Sequence, residues 1–279
     1  LVHLIAPDDR GIVGTHEVVG VDVLHPEIHQ ALIQQLTDRA IVDWQSFSID
    51  LGEAVRILQP GQYSVLLNRG TGGDASQILG TLQANGNVWL INPNGILFGP
   101  NSEVNVGGLV ASSLNITDQD FLSQNYSFAA DGANLGAVVN QGTITVTDGG
   151  YAVLTGPSVI NEGTIVARAG NVVLGASERA TLNLDGRDLI HFAVDQSLGE
   201  GTVLLAPGMM SDTLAQTFGV SSSRRANRLV EGEDGSFRLA AGTLVQAGTV
   251  SVDGREGVDG GRAVLDSSDL TILAAGSVT

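Results

Sequence analysis

Val139-Asn140-Gln141-Gly142-Thr143-Ile144 returns 21 positions later as Ile160-Asn161-Glu162-Gly163-Thr164-Ile165. Between the two copies, Gly150-Tyr151-Ala152-Val153-Leu154 returns 20 positions later as Gly170-Asn171-Val172-Val173-Leu174. A weaker copy of both halves follows at Val245–Val250 and Gly261–Leu265, and Gly86–Leu90 has the pattern of Gly170–Leu174. A unit of about 20 residues with two or three short strands cannot bury its own apolar face, whereas stacked units can. That is the logic of a β-solenoid. Its strands are expected to run parallel, with Ile144 beside Ile165 and Val153 beside Val173. Ten or so coils, with strands ~4.8 Å apart, would make a rod of roughly 50 Å.

The stretch Gly86–Ser113 shows the grammar of one coil. Val88–Ile91 and Ile96–Phe98 are aliphatic runs joined by Asn92-Pro93-Asn94-Gly95. Asn-Pro starts a turn and Asn-Gly completes one, because Pro fixes its φ while Asn and Gly tolerate positive φ. Pro93 cannot donate to a strand ladder, so it belongs at a corner or an edge. A second turn, Gly99-Pro100-Asn101, leads into Glu103–Val106 and Leu109–Ser112. Glycine fits this plan at 37 of 279 residues, nearly twice the usual ~7%. Aromatics make up only 4%, and the core-type residues are mostly Val, Ile, Leu and Ala. Such a mixture suits short strands and turns, not a helical bundle.

The formal net charge is −17, and all 13 basic residues are Arg. A nucleic-acid binder needs a basic footprint that this chain lacks, and an anionic membrane surface is disfavoured for the same reason. Without Lys there is no Schiff-base chemistry. Cysteine is absent, which excludes disulfide scaffolds, Cys-ligated zinc and thiol catalysis. No apolar run approaches the ~18 residues of a membrane span. Leu1–Ile5 lacks the charged flank and the length of a signal peptide, so an exported protein is expected here in processed form.

Residues 1–50 are the least regular. Asp8–Gly11 reads as a turn, and His16–Leu24 as a loosely alternating strand. Pro26–Leu36 has two readings. Ile28, Leu32 and Leu36 at i, i+4, i+8 behind Pro26 favour a short helix; Leu32–Gln35 before Thr37-Asp38-Arg39 reads equally as a strand and turn. Ala40–Ile49 is expected to be a strand. Val55–Leu58, Tyr63–Leu67 and Ile78–Leu82 are further short apolar segments, and Ser76–Leu82 also allows a helical turn. Pro207–Arg228, with Met209-Met210 and a helical Thr213–Phe218, breaks the repeat and is expected to lie outside the coils. The expected organisation is one domain over 1–279, with 1–50 as an N-terminal cap region and 51–279 as coils interrupted around 207–228.

LINPNGILFG at Leu90–Gly99 resembles the secretion domain of two-partner secretion exoproteins, the filamentous-haemagglutinin N-terminal domain. RAIVDWQSFSI at Arg39–Ile49, LLNRGTGGDASQILGTLQANG at Leu66–Gly86 and NVGGLVASSLNI at Asn105–Ile116 extend the likeness, which covers roughly residues 30–205 with the NxGTI repeats. It implies an all-β, right-handed parallel β-helix with an N-terminal cap and extra-helical strands. The resemblance also implies a non-catalytic role in a large exported exoprotein, an adhesin by its branch. Such a domain crosses the periplasm of a Gram-negative bacterium unfolded. Periplasmic modules of a dedicated outer-membrane β-barrel transporter recognise it, and it nucleates β-helix folding at the cell surface. Asn92, Pro93, Asn94, Gly95 and Ile96 fall on the family's second motif. The first, Asn-Pro-Asn-Leu, is replaced by Leu67-Asn68-Arg69-Gly70, as in the adhesin-like branch. The first 25 residues do not share the likeness.

The Asn92–Ile96 motif is read first as a corner that lets the coil close, and second as a direct contact for the transporter. His25 and His29 would share one face of a helix, but Pro26 stands where a catalytic HExxH has Glu, so no metal site is assigned. His191, beside Phe192, reads as a strand residue. Glu231–Gly235 and Asp253–Gly261 lack the spacing of calcium loops and read as solvated turns. Asp118 and Asp120 are the nearest carboxylate pair, and nothing gathers around them. No catalytic residue, cofactor or metal is therefore assigned, and the isolated domain is expected to be a monomer without stable membrane insertion. A carbohydrate-active β-helix enzyme and a free-standing ligand-binding solenoid remain the alternatives. A groove with converging carboxylates would favour the enzyme.

Overall fold

In the computed structural model, the described residues are 3–5, 21–27, 29–132, 135–185, 188–194, 202–203, 230–231, 237–238, 243–254, 260–267 and 270–273. Three long sheets wrap one core as the faces of a prism. The first face carries Gln30–Gln35, Ala54–Leu58, Thr81–Ala84, Glu103–Val106, Thr143–Val146, Thr164–Val166 and Thr249–Ser251. The second carries Arg39–Trp44, Val65–Gly70, Asn87–Ile91, Gly108–Ser112, Tyr151–Gly156, Asn171–Ala176 and Arg262–Ser267. The third carries Ser76–Ile78, Ile96–Phe98, Val138–Asn140, Ser158–Asn161, Thr243–Gln246 and Leu270–Leu273, with Thr202–Val203 at its end. The chain visits the faces in turn, and neighbouring coils pair in parallel.

The registers expected from the repeats are present: Ile144 pairs with Ile165 and Val153 with Val173, both in parallel ladders. On the first face, Val55, Leu82, Val104, Ile144, Ile165 and Val250 stand in one register column and all are buried. Alternation sends their neighbours to solvent, as in the exposed-buried pattern of Glu103–Val106. Each member packs on the coil above and below, so truncation of Ile144 to Ala would cost about 2–5 kcal/mol.

The NxGTI repeat has a physical reason. At the corner between the third and first faces, the buried Asn140 donates Nδ2 to Asn161 Oδ1 at 2.8 Å, and Asn161 Nδ2 donates to Gln246 Oε1 at 2.9 Å. Gly142, Gly163 and Gly248 follow these amides, and a Cβ on any of them would strike backbone of the adjacent coil. Gly107, Gly150, Gly170 and Gly261 form a second such column at the corner between the first and second faces.

Three expectations are corrected. Of the two readings of Pro26–Leu36, the strand holds and the short helix does not: Val21–Glu27 pairs antiparallel with Gln30–Gln35, with a register shift between Leu24 and Glu27. Pro26 sits at that irregularity, where no ladder donor is needed. The helical turn at Ser76–Leu82 is two strands, Ser76–Ile78 and Thr81–Ala84, on different faces. The described residues contain seven strands on the second face rather than ten coils, about 29 Å of stacking at ~4.8 Å per step. The difference lies in two excursions. One, between Gly108–Ser112 and Val138–Asn140, carries the helix Asp118–Leu122 and the strand Ser127–Ala129. The other carries Arg179–Asp185 and Asp188–Val194, and Thr243–Gln246 then stacks directly on Ser158–Asn161. Parallel stacking begins with the pairing of Gln30–Gln35 and Ala54–Leu58. Pro207–Arg228 lies outside the described residues.

The excursions meet as extra-helical strands. Ser127–Ala129 pairs antiparallel with Arg179–Asp185, which pairs antiparallel with Asp188–Val194. Phe121, Phe128, Ala180 and Leu182 contribute to a second apolar cluster against the outer side of the second face. Asn87–Ile91 is therefore buried at every residue.

Candidate functional site: the Asn92–Ile96 corner

Asn92-Pro93-Asn94-Gly95 closes the coil between the second and third faces. Gly95 N–H donates to Asn92 O at 2.9 Å, the i+3 to i bond of a β-turn. Gly95 takes φ +107°, while no positive φ falls on Asn94. Asn at i, Pro at i+1 and Gly at i+3 are the residues a type I turn selects. The Asn92 side chain adds a local loop, its Oδ1 accepting from Asn94 N at 2.9 Å.

The same side chain ties the turn to the coil below. Asn92 is 2% exposed, and its Nδ2 donates to Asp74 O and to Ser76 Oγ, each at 3.0 Å. Asn94 Nδ2 donates to Gly72 O at 2.7 Å and reaches Asn92 Oδ1 at 3.3 Å. A Cβ on Gly70 would stand 2.6 Å from Asn92 Nδ2; glycine there lets the amide approach. On the coil above, Gly136 N donates to Pro93 O at 2.8 Å and Ile96 N to Ala137 O at 3.0 Å. Ile96 is fully buried in the main core. All five residues thus have work inside the fold, and Pro93 and Asn94 alone are half-exposed.

Beside this corner, Asn68 and Arg69 hold jobs that sequence spacing does not signal. Buried Asn68 accepts from Trp44 Nε1 at 3.1 Å. Arg69 donates to Asp43 Oδ1 at 2.9 Å, to Asp118 Oδ1 at 2.7 Å and to Ile116 O at 2.9 Å, fastening the first excursion to the coil. Trp89 donates Nε1 to Tyr151 Oη at 3.0 Å and packs edge-on against Phe121 and Tyr126. Burial pushes the Tyr151 and Tyr126 phenols up from their ordinary value, so both stay protonated.

The other candidates are not brought together. Asp118 is paired with Arg69, and Asp120 accepts from Thr117 Oγ1 and Asn125 Nδ2, which holds its carboxyl below the ordinary value. His25 lies on Val21–Glu27, whereas His29 is exposed in the following turn, 3.9 Å from Glu53 Oε1. His191 lies on Asp188–Val194. Glu231 ends a short strand, Asp253 is exposed, and the centres of both acidic glycine segments lie outside the described residues. Among the described residues, no group of three or more His, Asp or Glu side chains could hold a metal ion. A shallow cavity of about 280 Å³ on the first face is lined by Arg56, Leu58, Gln83, Asn85 and Asn105, with Ile57 and Ala84, and no carboxylate enters it. Nor is any helix among the described residues long and apolar enough to cross a membrane.

The profile of the TPS secretion domain matches residues 14–189. A heme/hemopexin-binding protein of Haemophilus influenzae is 38% identical over 182 residues, 61% of this chain and 20% of that protein. Another heme/hemopexin-binding protein from H. influenzae is 43% identical over 96 residues, 34% of this chain and 10% of that protein. The chain thus spans a fifth or less of the length of these curated relatives. Among solved structures, the HMW1 secretion domain from H. influenzae superposes with a TM-score of 0.57 at 32% identity, covering 67% of this chain and 53% of that one.

Proposed function

The chain belongs to the TPS (two-partner secretion) secretion domain family, and from that premise we propose that a dedicated outer-membrane β-barrel transporter recognises it in the periplasm and that it nucleates β-helix folding outside the cell. Proteins with this domain are exported to the surface of Gram-negative bacteria, and the domain is the non-catalytic part of a large exoprotein. The observation that carries the proposal is the motif Asn92–Ile96 set between stacked coils inside the matched stretch 14–189. We read the motif as architecture: its side chains are engaged by the fold, and export depends on it because the first stable coils depend on it. One secretion domain over 1–279, monomeric when isolated, completes the reading.

Co-expression with the cognate barrel is expected to move this chain into the medium. If the parent and a folded Asn92→Ala/Asn94→Ala variant are exported equally with and without the barrel, the proposal fails. For the exoprotein as a whole, adhesion is our first reading. Capture of heme or hemopexin is the second, favoured by what the curated relatives are described as binding. Binding of heme and of hemopexin by the full-length exoprotein, measured beside attachment to host cells, separates the two.

A further inference from the structure

We propose that Asn94–Gly95 is a deamidation site, open in the unfolded chain and shut by the folded corner, and that modification there destabilises the corner. The inference stands on the geometry of the turn and does not need the export reading. Asparagine followed by glycine is the sequence in which least hinders attack of the next amide nitrogen on the side-chain carboxamide. Gly95 N bonds to Asn94 Cγ, the Cγ–Nδ2 bond breaks, and ammonia leaves with the proton lost from Gly95 N. Water then opens the five-membered imide to aspartate or to isoaspartate.

The folded turn engages both reacting groups. The nucleophile, Gly95 N–H, donates to Asn92 O at 2.9 Å, so the peptide nitrogen points into the turn. The carboxamide is held from the other side, with Nδ2 donating to Gly72 O at 2.7 Å and to Asn92 Oδ1 at 3.3 Å. The intervening backbone is pinned by Gly136 N on Pro93 O and by Ser76 N on Gly95 O at 3.0 Å. Rotation of Asn94 Cγ towards Gly95 N breaks the two bonds of the carboxamide, and freeing Gly95 N to attack breaks its bond to Asn92 O.

The product does not fit the same site. Aspartate has no side-chain donor when ionised, yet the two groups facing Asn94 Nδ2, Gly72 O and Asn92 Oδ1, are both acceptors. An isoaspartate adds an atom to the main chain inside a four-residue turn closed by one hydrogen bond. The cost falls on the step that joins the second face to the third. A chain that crosses the periplasm unfolded carries Asn94–Gly95 open until this corner forms.

The test is site-resolved peptide mass spectrometry on the purified chain, folded or held in urea, at one pH and temperature. Asn85–Gly86 has the same local chemistry, so the two peptides are read separately. The unfolded chain is expected to lose ammonia at Asn94 at least about tenfold faster than the folded one, the factor implied by breaking these hydrogen bonds first. Equal rates overturn the proposal. In a second arm, Asn94→Asp is expected to unfold at lower urea than the parent or not to fold at all. A variant as stable as the parent at neutral pH overturns the claim about the product.

Discussion

Asn161 and Gln246 stand 85 residues apart in the chain and share one buried hydrogen bond of 2.9 Å. The bond joins neighbouring strands of the third face, Ser158–Asn161 and Thr243–Gln246, and Asn140 extends it to the coil below. The buried amides also serve the corner backbone: Asn140 Oδ1 accepts from Gly142 N, and Gln246 Nε2 donates to Gly248 O. The ladder therefore marks where the returning strand must land.

Asn161→Ala removes the acceptor of Asn140 Nδ2 and the donor to Gln246 Oε1. Stability is expected to fall by about 2–4 kcal/mol, since a buried unsatisfied group costs ~1–3 kcal/mol. Urea unfolding measures the loss. Amide exchange should rise most at Thr243–Gln246, the strand that carries Gln246 into the third face.

Gly70 and Asn92 are coupled by contact. Gly70→Ala places a methyl against Asn92 Nδ2 and should push the amide off Asp74 O and Ser76 Oγ, at a cost of about 1–3 kcal/mol. In Asn92→Ala the amide is already gone, so the added methyl should cost much less. A double-mutant cycle by urea unfolding is expected to show an interaction of at least ~0.5 kcal/mol. Strict additivity would mean that the glycine serves another purpose.

Arg69 joins the coil to the first excursion through charged groups that are partly exposed, Asp43 at 36% and Asp118 at 56%. Arg69→Gln removes these contacts and is expected to release the helix Asp118–Leu122 before it unfolds the solenoid. Limited proteolysis should cut the variant near Leu122, which is already exposed, while global stability falls by about 1–3 kcal/mol. High salt should loosen the same helix in the parent, because ion pairs reaching solvent are screened.

The coils were legible because their chemistry is local. Alternation and the Asn-x-Gly-Thr repeat each specify a strand and a corner without reference to distant chain. The Asn92–Gly95 turn was legible for the same reason, although its partners Gly72 and Gly136 were not. Where two periods competed, tertiary pairing decided. Ile28, Leu32 and Leu36 suggest a helix, yet the buried positions are Ala31, Ile33 and Gln35, at period two, and Leu36 is 54% exposed. Trp89 is the clearest miss. An apolar run reads alike whether its outer side meets water or protein, and the cover comes from remote segments, as in the pairing of Phe128 with Ala180. The segments that supply the cover have no repeat, so among the described residues they add no coil to the stack.

Glu162 offers a pH-dependent test of the repeat. It is half-buried on the corner, where its carboxylate accepts from Gln141 Nε2 at 3.3 Å. Burial raises its pKa above the ordinary value, against the smaller opposing effect of that hydrogen bond. The folded state therefore holds this proton more tightly than the unfolded state. Stability contributed by the protonated form is full below the ordinary glutamate value of about 4.3 and declines as pH rises through the raised folded value. Glu162→Gln keeps an acceptor for Gln141 but cannot ionise. The variant should be more stable than the parent at neutral pH, by less than about 1 kcal/mol once solvent screening of a half-exposed group is allowed for. Near pH 3, where Glu162 is protonated in both states, this difference should vanish. Urea midpoints of the two proteins across this range measure it, and a gain that persists undiminished at low pH would place its origin in packing instead of charge.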